Sequence, residues 1–321
     1  KVAPLLAGMG LLFCSLGAQA AYPDKPIRLV VPFTPGGVTD VIARGVAQQL
    51  SKDLGQIIIV ENKPGASGII ATDFVAKSAP DGYTVLLAAV GQAVVNNHLY
   101  KKLPYDPAQD LAAVSLVAEG QNVLVVNAKQ SPFNTGEELI SHARAKPDDL
   151  TYASFGNGSS SHLSAAAFTT MANIEVIHAP YRGSAPAMTD LLGGHISFMF
   201  DSMGTAITHI NANTVRPLAV SGPERSSLLP EVPTFAELGL NQGYNVTAWF
   251  GFHVSSGTPT EIIDRLSQAM KTVSENSEFV ETFRRQGVDI ISSTPAEYAE
   301  FLRQEDEKLG SLIKQANITL D

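Results

Sequence analysis

Read from its first ordered pattern, the chain opens with a short continuous apolar run. Leu29, Val30 and Val31 close that run, and Pro32 stops it. A run without alternation suits a strand covered on both faces of a parallel sheet. From Val38 the period changes, because Val38, Ile42, Val46 and Leu50 are four apart and share one helical face. Between strand and helix stand Phe33, Thr34, Pro35, Gly36, Gly37 and Thr39. A strand, a glycine turn and a helix together aim free backbone N–H groups at an anion. Glycine lets the anion come close, since no Cβ stands in the way.

The same alternation continues. A second strand is expected over 56–60, and the turn 61–68, which includes Ala66, opens a helix carrying Ile70, Phe74 and Val75. Asp81-Gly82 turns the chain into a third strand over 83–89, followed by a loop over 90–96 that holds Gly91 and Gln92. This β-α-β-α-β order is half of an open, doubly wound sheet. After a strand at 123–126 and a helix at 137–145, the opening pattern returns. Strands at 150–154, 175–178 and 196–200 alternate with a Gly/Ser loop (155–162), helices at 163–171 and 186–192, and a second loop (179–185). Gly65-Ala66-Ser67 in the first half matches Gly183-Ser184-Ala185 in the second. The expected fold class is therefore α/β, with two doubly wound, Rossmann-like lobes joined by crossing strands. Their loops leave the carboxyl edges of the strands and face one cleft. Strands near 122–127 and 249–254 are read as the crossings. This places lobe 1 at 21–125 and 248–321 and lobe 2 at 126–247. Two C-terminal helical regions follow, one capped by Thr258 and one running from about 295 to 315.

Composition narrows the function. Residues 1–20 carry an apolar run behind Lys1 and end in Ala18-Gln19-Ala20, the pattern of a secretory signal peptide. The single cysteine, Cys14, falls in that segment, so the expected mature chain has no disulfide and no thiolate chemistry. Basic residues number 22 against 31 acidic ones, a net charge of −9, which argues against a nucleic-acid partner.

Candidate chemistry lies in the loops. Ser159, Ser160, Ser161 and His162 invite a serine-hydrolase reading, but no G-x-S-x-G elbow contains them. The seven histidines show no metal-ligand spacing, and no metal or cofactor is expected. Arg182 is the one cation in a predicted cleft loop, able either to clamp a carboxylate or to pair at the surface. Asp201 ends a strand at the cleft edge, where it could orient a loop or meet a ligand. Thr34, Thr39, Gln92, Asn157, Ser159 and Ser160 are neutral hydrogen-bonding groups, suited to binding an anion without changing it.

Several longer motifs then form a recognisable set. They are Y-P-D-K-P-I-R-L-V-V-P-F-T-P-G-G-V-T-D-V-I-A-R (22–44), E-N-K-P-G-A-S-G (61–68), A-P-D-G-Y-T (79–84) and P-Y-R-G-S-A-P-A (180–187). D-L-L-G-G-H-I (190–196), F-D-S (200–202), L-P-E-V-P-T-F-A-E (229–237) and W-F-G-F (249–252) complete it. In this order the motifs resemble the receptors of the tripartite tricarboxylate transporter family, the Bug-type solute-binding proteins. The resemblance implies a type II periplasmic-binding-protein fold with a central ligand cleft. It further implies a periplasmic monomer, not an enzyme, that traps a small carboxylate and hands it to membrane permease subunits or presents it to a sensor kinase. It assigns ligand contact to the loop from Phe33 to Thr39. The opposite jaw would come from the loops at 155–162, at 181–185 with Tyr181 and Arg182, and around Asp201. Val90-Gly91-Gln92-Ala93 departs from the hydroxyl-rich loop the family would place there.

Overall fold

The first strand, β1 (Ile27–Val31), shows why its apolar run is continuous. Ile27, Leu29 and Val31 enter one hydrophobic cluster, and Val30 enters another on the opposite face. Helix α1 (Val38–Leu54) covers the first face with Val38, Ile42, Val46 and Leu50, the four residues spaced for it. A computed structural model describes residues 22–240, 246–315 and 318. The expected signal segment 1–20, with Cys14, lies outside the described residues.

The first half continues through β2 (Ile58–Asn62), α2 (Ile69–Ala76), β3 (Thr84–Ala89), α3 (Asn96–Leu99) and α4 (Pro107–Asp110). A long strand, β4 (Leu111–Asn127), leads into α5 (Gly136–Ala145), β5 (Thr151–Ser154), α6 (Ser160–Ala172), β6 (Ile177–Pro180) and α7 (Ser184–Gly193). Next come β7 (Phe198–Ser202), α8 (Met203–Asn211), β8 (Val215–Val220) and β9 (Thr247–Ser255). The chain ends in α9 (Thr260–Ser274), α10 (Ser277–Arg284), β10 (Asp289–Ile290) and α11 (Pro295–Gln315).

Strand pairing bears out the repeat read in the sequence. The order along the sheet is β2-β1-β3-β9-β4-β7-β5-β6, and β8 and β10 also pair with β4. β1 is parallel to β2 and β3, and β5 is parallel to β6 and β7, so each half holds the same 2-1-3 arrangement. β4 runs through both halves. Leu111 to Gln121 pairs with β9, and Asn122 onward pairs with β7 and β8.

Several elements differ from the sequence expectation. Residues 111–121 form the first half of β4, where the sequence reading began the strand only at 123. Register shifts at Ala113/Ser115 and Leu116/Ala118 break the period of two that would mark a strand. The expected loop over 90–96 is helical: Gly91–Val95 forms a π-turn that runs into α3. Helix α6 starts three residues earlier than expected, so the serine loop is its cap and first turn. The N-cap of α9 is Pro259 rather than Thr258, whose hydroxyl donates to the Ser255 carbonyl at 2.7 Å. The C-terminal helix α11 returns to the first half, where the Trp249 indole N–H donates to Glu305 at 3.0 Å in the interior.

Candidate functional site

Four helices start at the carboxyl edges of these strands, and their N-termini meet around one cavity. Gly37 caps α1, Ser159 caps α6, Gly183 caps α7 and Ser202 caps α8. All four caps line the cavity, together with Val38, Thr39, Ser160 and Ser184 from the first turns. Its walls are completed by Phe33, Ala89, Phe155 and Phe250, and it holds about 20 Å³ of water-accessible space. First-turn amides have no partner within their own helix, and the helix dipole puts partial positive charge there. Among the described residues, no lysine or arginine lines this inner cavity. An anion placed in it would be held by backbone dipoles and hydroxyls alone.

The hydroxyls divide into committed and available groups. Ser159 Oγ donates to the Gly156 carbonyl at 2.7 Å and accepts from the His162 amide, so it is the helix cap. Ser184 Oγ donates to Asp201 Oδ1 at 2.7 Å. Among the described residues, the hydroxyls of Thr39 and Ser160 form no hydrogen bond, which leaves them for a ligand.

Two carboxylates hold the loops. Asp40 Oδ2 accepts from the Gly36 amide at 3.1 Å, and Asp40 also pairs with Arg44 and accepts from the Asn62 amide group. Burial opposes its charge, but the Arg44 and Gly36 hydrogen bonds prevail and hold its pKa below the usual value. The Gly36 amide is thus committed to shaping the turn. Asp201 is fully buried. Its Oδ1 accepts from Ser184, Thr205 and the Ser202 amide, while its Oδ2 has no partner. Burial raises its pKa to about 6 against the pull of those three donors.

A second, outer cavity adjoins the first and shares Phe33 and Phe155 with it. It holds about 150 Å³ of water-accessible space and is lined further by residues 65–68, Asn157, Tyr181 and Arg182. Gln92 supports this wall from behind: its Nε2 donates to the Ser67 carbonyl at 2.8 Å and its Oε1 accepts from the Ala89 amide at 3.1 Å.

Each expected site residue can therefore be placed. Phe33, Gly37, Thr39, Ser159 and Ser160 line the inner cavity, and Ala66, Asn157, Tyr181 and Arg182 line the outer one. Thr34 bridges the halves, its amide and hydroxyl both donating to the Arg182 carbonyl at 3.3 Å. Pro35 and Gly36 are exposed, and Gly91, Gln92, His162 and Asp201 stand behind the walls. His162 Nδ1 accepts from the Gly158 amide at 3.1 Å, and its ring stacks on His178 at 4.4 Å. No serine hydroxyl bonds to the His162 ring among the described residues, so the serine–histidine pair of a hydrolase is not assembled there. Sequence reasoning missed Val38, Ala89 and Phe250 in the inner wall, and it reached Gly183, Ser184 and Ser202 only through the loops expected to form the opposite jaw, without singling them out. The first-turn positions after each cap were the available signal for Ser184. Phe250 offered none: its strand, expected near 249–254 as a crossing, instead pairs only with β3 and the first half of β4, far along the chain from Phe33.

Comparison with known proteins agrees with this geometry. Residues 42–318 match the family described as Tripartite tricarboxylate transporter family receptor. The chain is 37% identical over 313 residues to a UPF0065 protein of Pseudomonas sp. (strain P51), covering 96% of this chain and 93% of that protein. It is 35% identical to Protein BugT of Bordetella pertussis over 322 residues, 98% of each chain. Among solved structures, R. palustris Rpa4515 with adipate superposes with a TM-score of 0.89 at 35% identity, covering 93% of this chain and 100% of that one. The periplasmic binding protein BugD does so with 0.89 at 31% identity, over 93% and 100%.

Proposed function

This chain belongs to the tripartite tricarboxylate transporter receptor family, and we propose that it captures a small carboxylate in the periplasm and delivers it to a membrane transporter. Members of the family are solute-binding receptors, not enzymes, and so is this protein. The observation that carries the carboxylate reading is the convergence of four helix N-termini on a cavity that, among the described residues, no basic side chain lines. Such a site favours one negative charge over none by dipoles fixed in advance. A related receptor of known structure holds adipate, which agrees in chemical class.

In this reading the ligand enters between the lobes, which then close by a hinge at β4 and β9. Residues 21–125 and 248–321 form one lobe and 126–247 the other, which agrees with the change of β4 partners after Gln121. The hydrogen bond from the Thr34 amide to the Arg182 carbonyl, which joins the two lobes in this reading, supports a closed arrangement. Closure excludes water and strengthens the dipolar contacts to the anion.

Thermal unfolding against a panel of mono-, di- and tricarboxylates tests the reading. A ligand at a hundredfold its Kd adds about 2.7 kcal/mol, a rise in Tm of roughly several degrees for a chain of this size. Gly37→Val is expected to abolish that rise while leaving the fold intact. A Cβ at Gly37 meets nothing nearer than Ser184 Cβ at 3.9 Å, so the valine side chain occupies the cavity rather than clashing with the backbone. If no carboxylate shifts Tm and none is released from freshly purified protein on mass spectrometry, the reading fails.

A further inference from the structure

Asp201 stands behind the inner cavity, one hydrogen bond away from its wall. Its side chain is fully buried, and Oδ1 collects three donors: Ser184 Oγ at 2.7 Å, Thr205 Oγ1 at 2.8 Å and the Ser202 amide at 2.9 Å. Oδ2 has no hydrogen-bond partner among the described residues. An ionised carboxylate only accepts, so Ser184 must give it the one proton of its hydroxyl. Ser184 also lines the cavity, where that oxygen is then left with lone pairs alone. Lone pairs at the wall and a negative charge behind it both oppose an anion in the cavity.

A carboxylate is a costly group for this place. Burial disfavours its charge, and its support is three neutral donors. The elements packed against β7 carry Glu119 on β4, Tyr152 on β5, His162 on α6, Asp190 on α7 and His209 on α8, with Arg182 in the loop before α7. None of them bonds to Asp201, and none is a cause of its pKa shift.

The same atoms have a second complete arrangement. With a proton on Oδ1, Asp201 donates to Ser184 Oγ and keeps acceptor capacity for the Ser202 amide. Thr205 turns its own proton to the Ser202 carbonyl, already 3.1 Å from its Oγ1. Ser184 then turns its proton into the cavity, where Thr39 and Ser160 also stand. One proton taken from solvent thus converts a lone pair at the wall into a donor and removes the buried charge behind it.

We propose that Asp201 is a proton-binding site coupled to the ligand site: capture of a carboxylate is accompanied by uptake of a proton on Asp201, which releases the Ser184 hydroxyl to donate to the ligand. This rests on the carboxylate reading of the inner cavity. The coupling is reciprocal, so the proton strengthens carboxylate binding as much as the carboxylate strengthens proton binding. Burial already raises the pKa of Asp201 to about 6, and a further rise on binding falls in the neutral range.

Isothermal titration of the purified chain at pH 7, in buffers of different ionisation enthalpy, counts the protons. The probes are adipate and the mono- or dicarboxylate that raises Tm most, both ionised at that pH. Uptake of roughly half a proton or more per molecule bound is expected, with affinity rising about threefold or more from pH 7.5 to pH 6.5. Asp201→Asn supplies an amide that donates to Ser184 at every pH. It should bind equally well at pH 7.5 and 6.5 and take up no proton. Ser184→Ala keeps the carboxylate but cuts its link to the cavity, and should lose most of the uptake; it decides alone if Asp201→Asn does not fold. No uptake by the unaltered protein, or full uptake kept in either variant, overturns the proton site and leaves the inner site standing. If no carboxylate binds the unaltered protein at either pH, the carboxylate reading falls, and the proton site with it.

Discussion

At the scale of single residues, the inner site depends on which hydroxyls are free. Ser159, read from the sequence as a ligand donor, and Ser184, in the first turn of α7, both direct their protons to the protein, one to Gly156 and one to Asp201. Thr39 and Ser160 are the pair left over. Thr39→Val and Ser160→Ala are each expected to weaken carboxylate binding about tenfold, the worth of a hydrogen bond to a charged group. Ser159→Ala should lower stability by about 1 kcal/mol through loss of a helix cap. Titration calorimetry and denaturant unfolding separate the two effects. An affinity loss larger in Ser159→Ala than in Ser160→Ala would contradict this division. Arg182 and Asp201 illustrate the limit of residue-by-residue reading. Both stand in motifs that point to the cleft, but whether a side chain faces a ligand or its own backbone depends on neighbours distant in sequence.

At the scale of elements, the positions of the strands and helices followed from period and turn chemistry wherever the pattern was regular. β1, α1, β8 and α11 are examples, because each is covered in a simple way and its apolar spacing records that cover. The bulged half of β4 and the π-turn at 91–95 were not readable, since neither keeps one period long enough. The π-turn matters for function. A Cβ on Gly91 would lie 3.0 Å from the Gly158 carbonyl, so the two halves touch there through glycine alone. Gly91→Val should keep the lobes apart. The expected result is a larger radius of gyration by small-angle X-ray scattering and carboxylate affinity reduced by at least tenfold, in line with the cost of overpacking. An unchanged radius together with unchanged affinity would mean that this contact does not control closure.

At the scale of the whole molecule, stability should respond to acid through histidines whose neutral form the interior requires. Burial lowers the pKa of His162 to about 3, with His178 adding to the effect, and lowers His178 and His253 to about 4. A base whose folded pKa is depressed contributes fully above its unfolded value, near 6.5, and loses that contribution as pH falls below it. Asp201 acts in the opposite sense. Its folded pKa is raised to about 6, so the folded state gains as pH falls from there toward the unfolded value near 4. Three groups oppose one. Stability, and with it Tm, is therefore expected to fall between pH 7 and pH 5, the unfolding free energy losing up to about 2 kcal/mol for each histidine, and Asp201→Asn should steepen that fall. A Tm that rises over the same interval would show that these rings are not held neutral.

What the sequence determined by itself was the set of local devices: apolar runs buried on both faces, glycine turns opening helices, and a strand-helix unit used twice. These depend on residues within a few positions of one another, and their periods survive in one dimension. The tertiary structure decided which devices face each other. Phe250 reaches the inner wall from a strand more than two hundred residues after Phe33, and Thr34 meets Arg182 across the two halves. Such contacts join segments with no shared period, so only the passage of β4 through both halves brings them to one cleft.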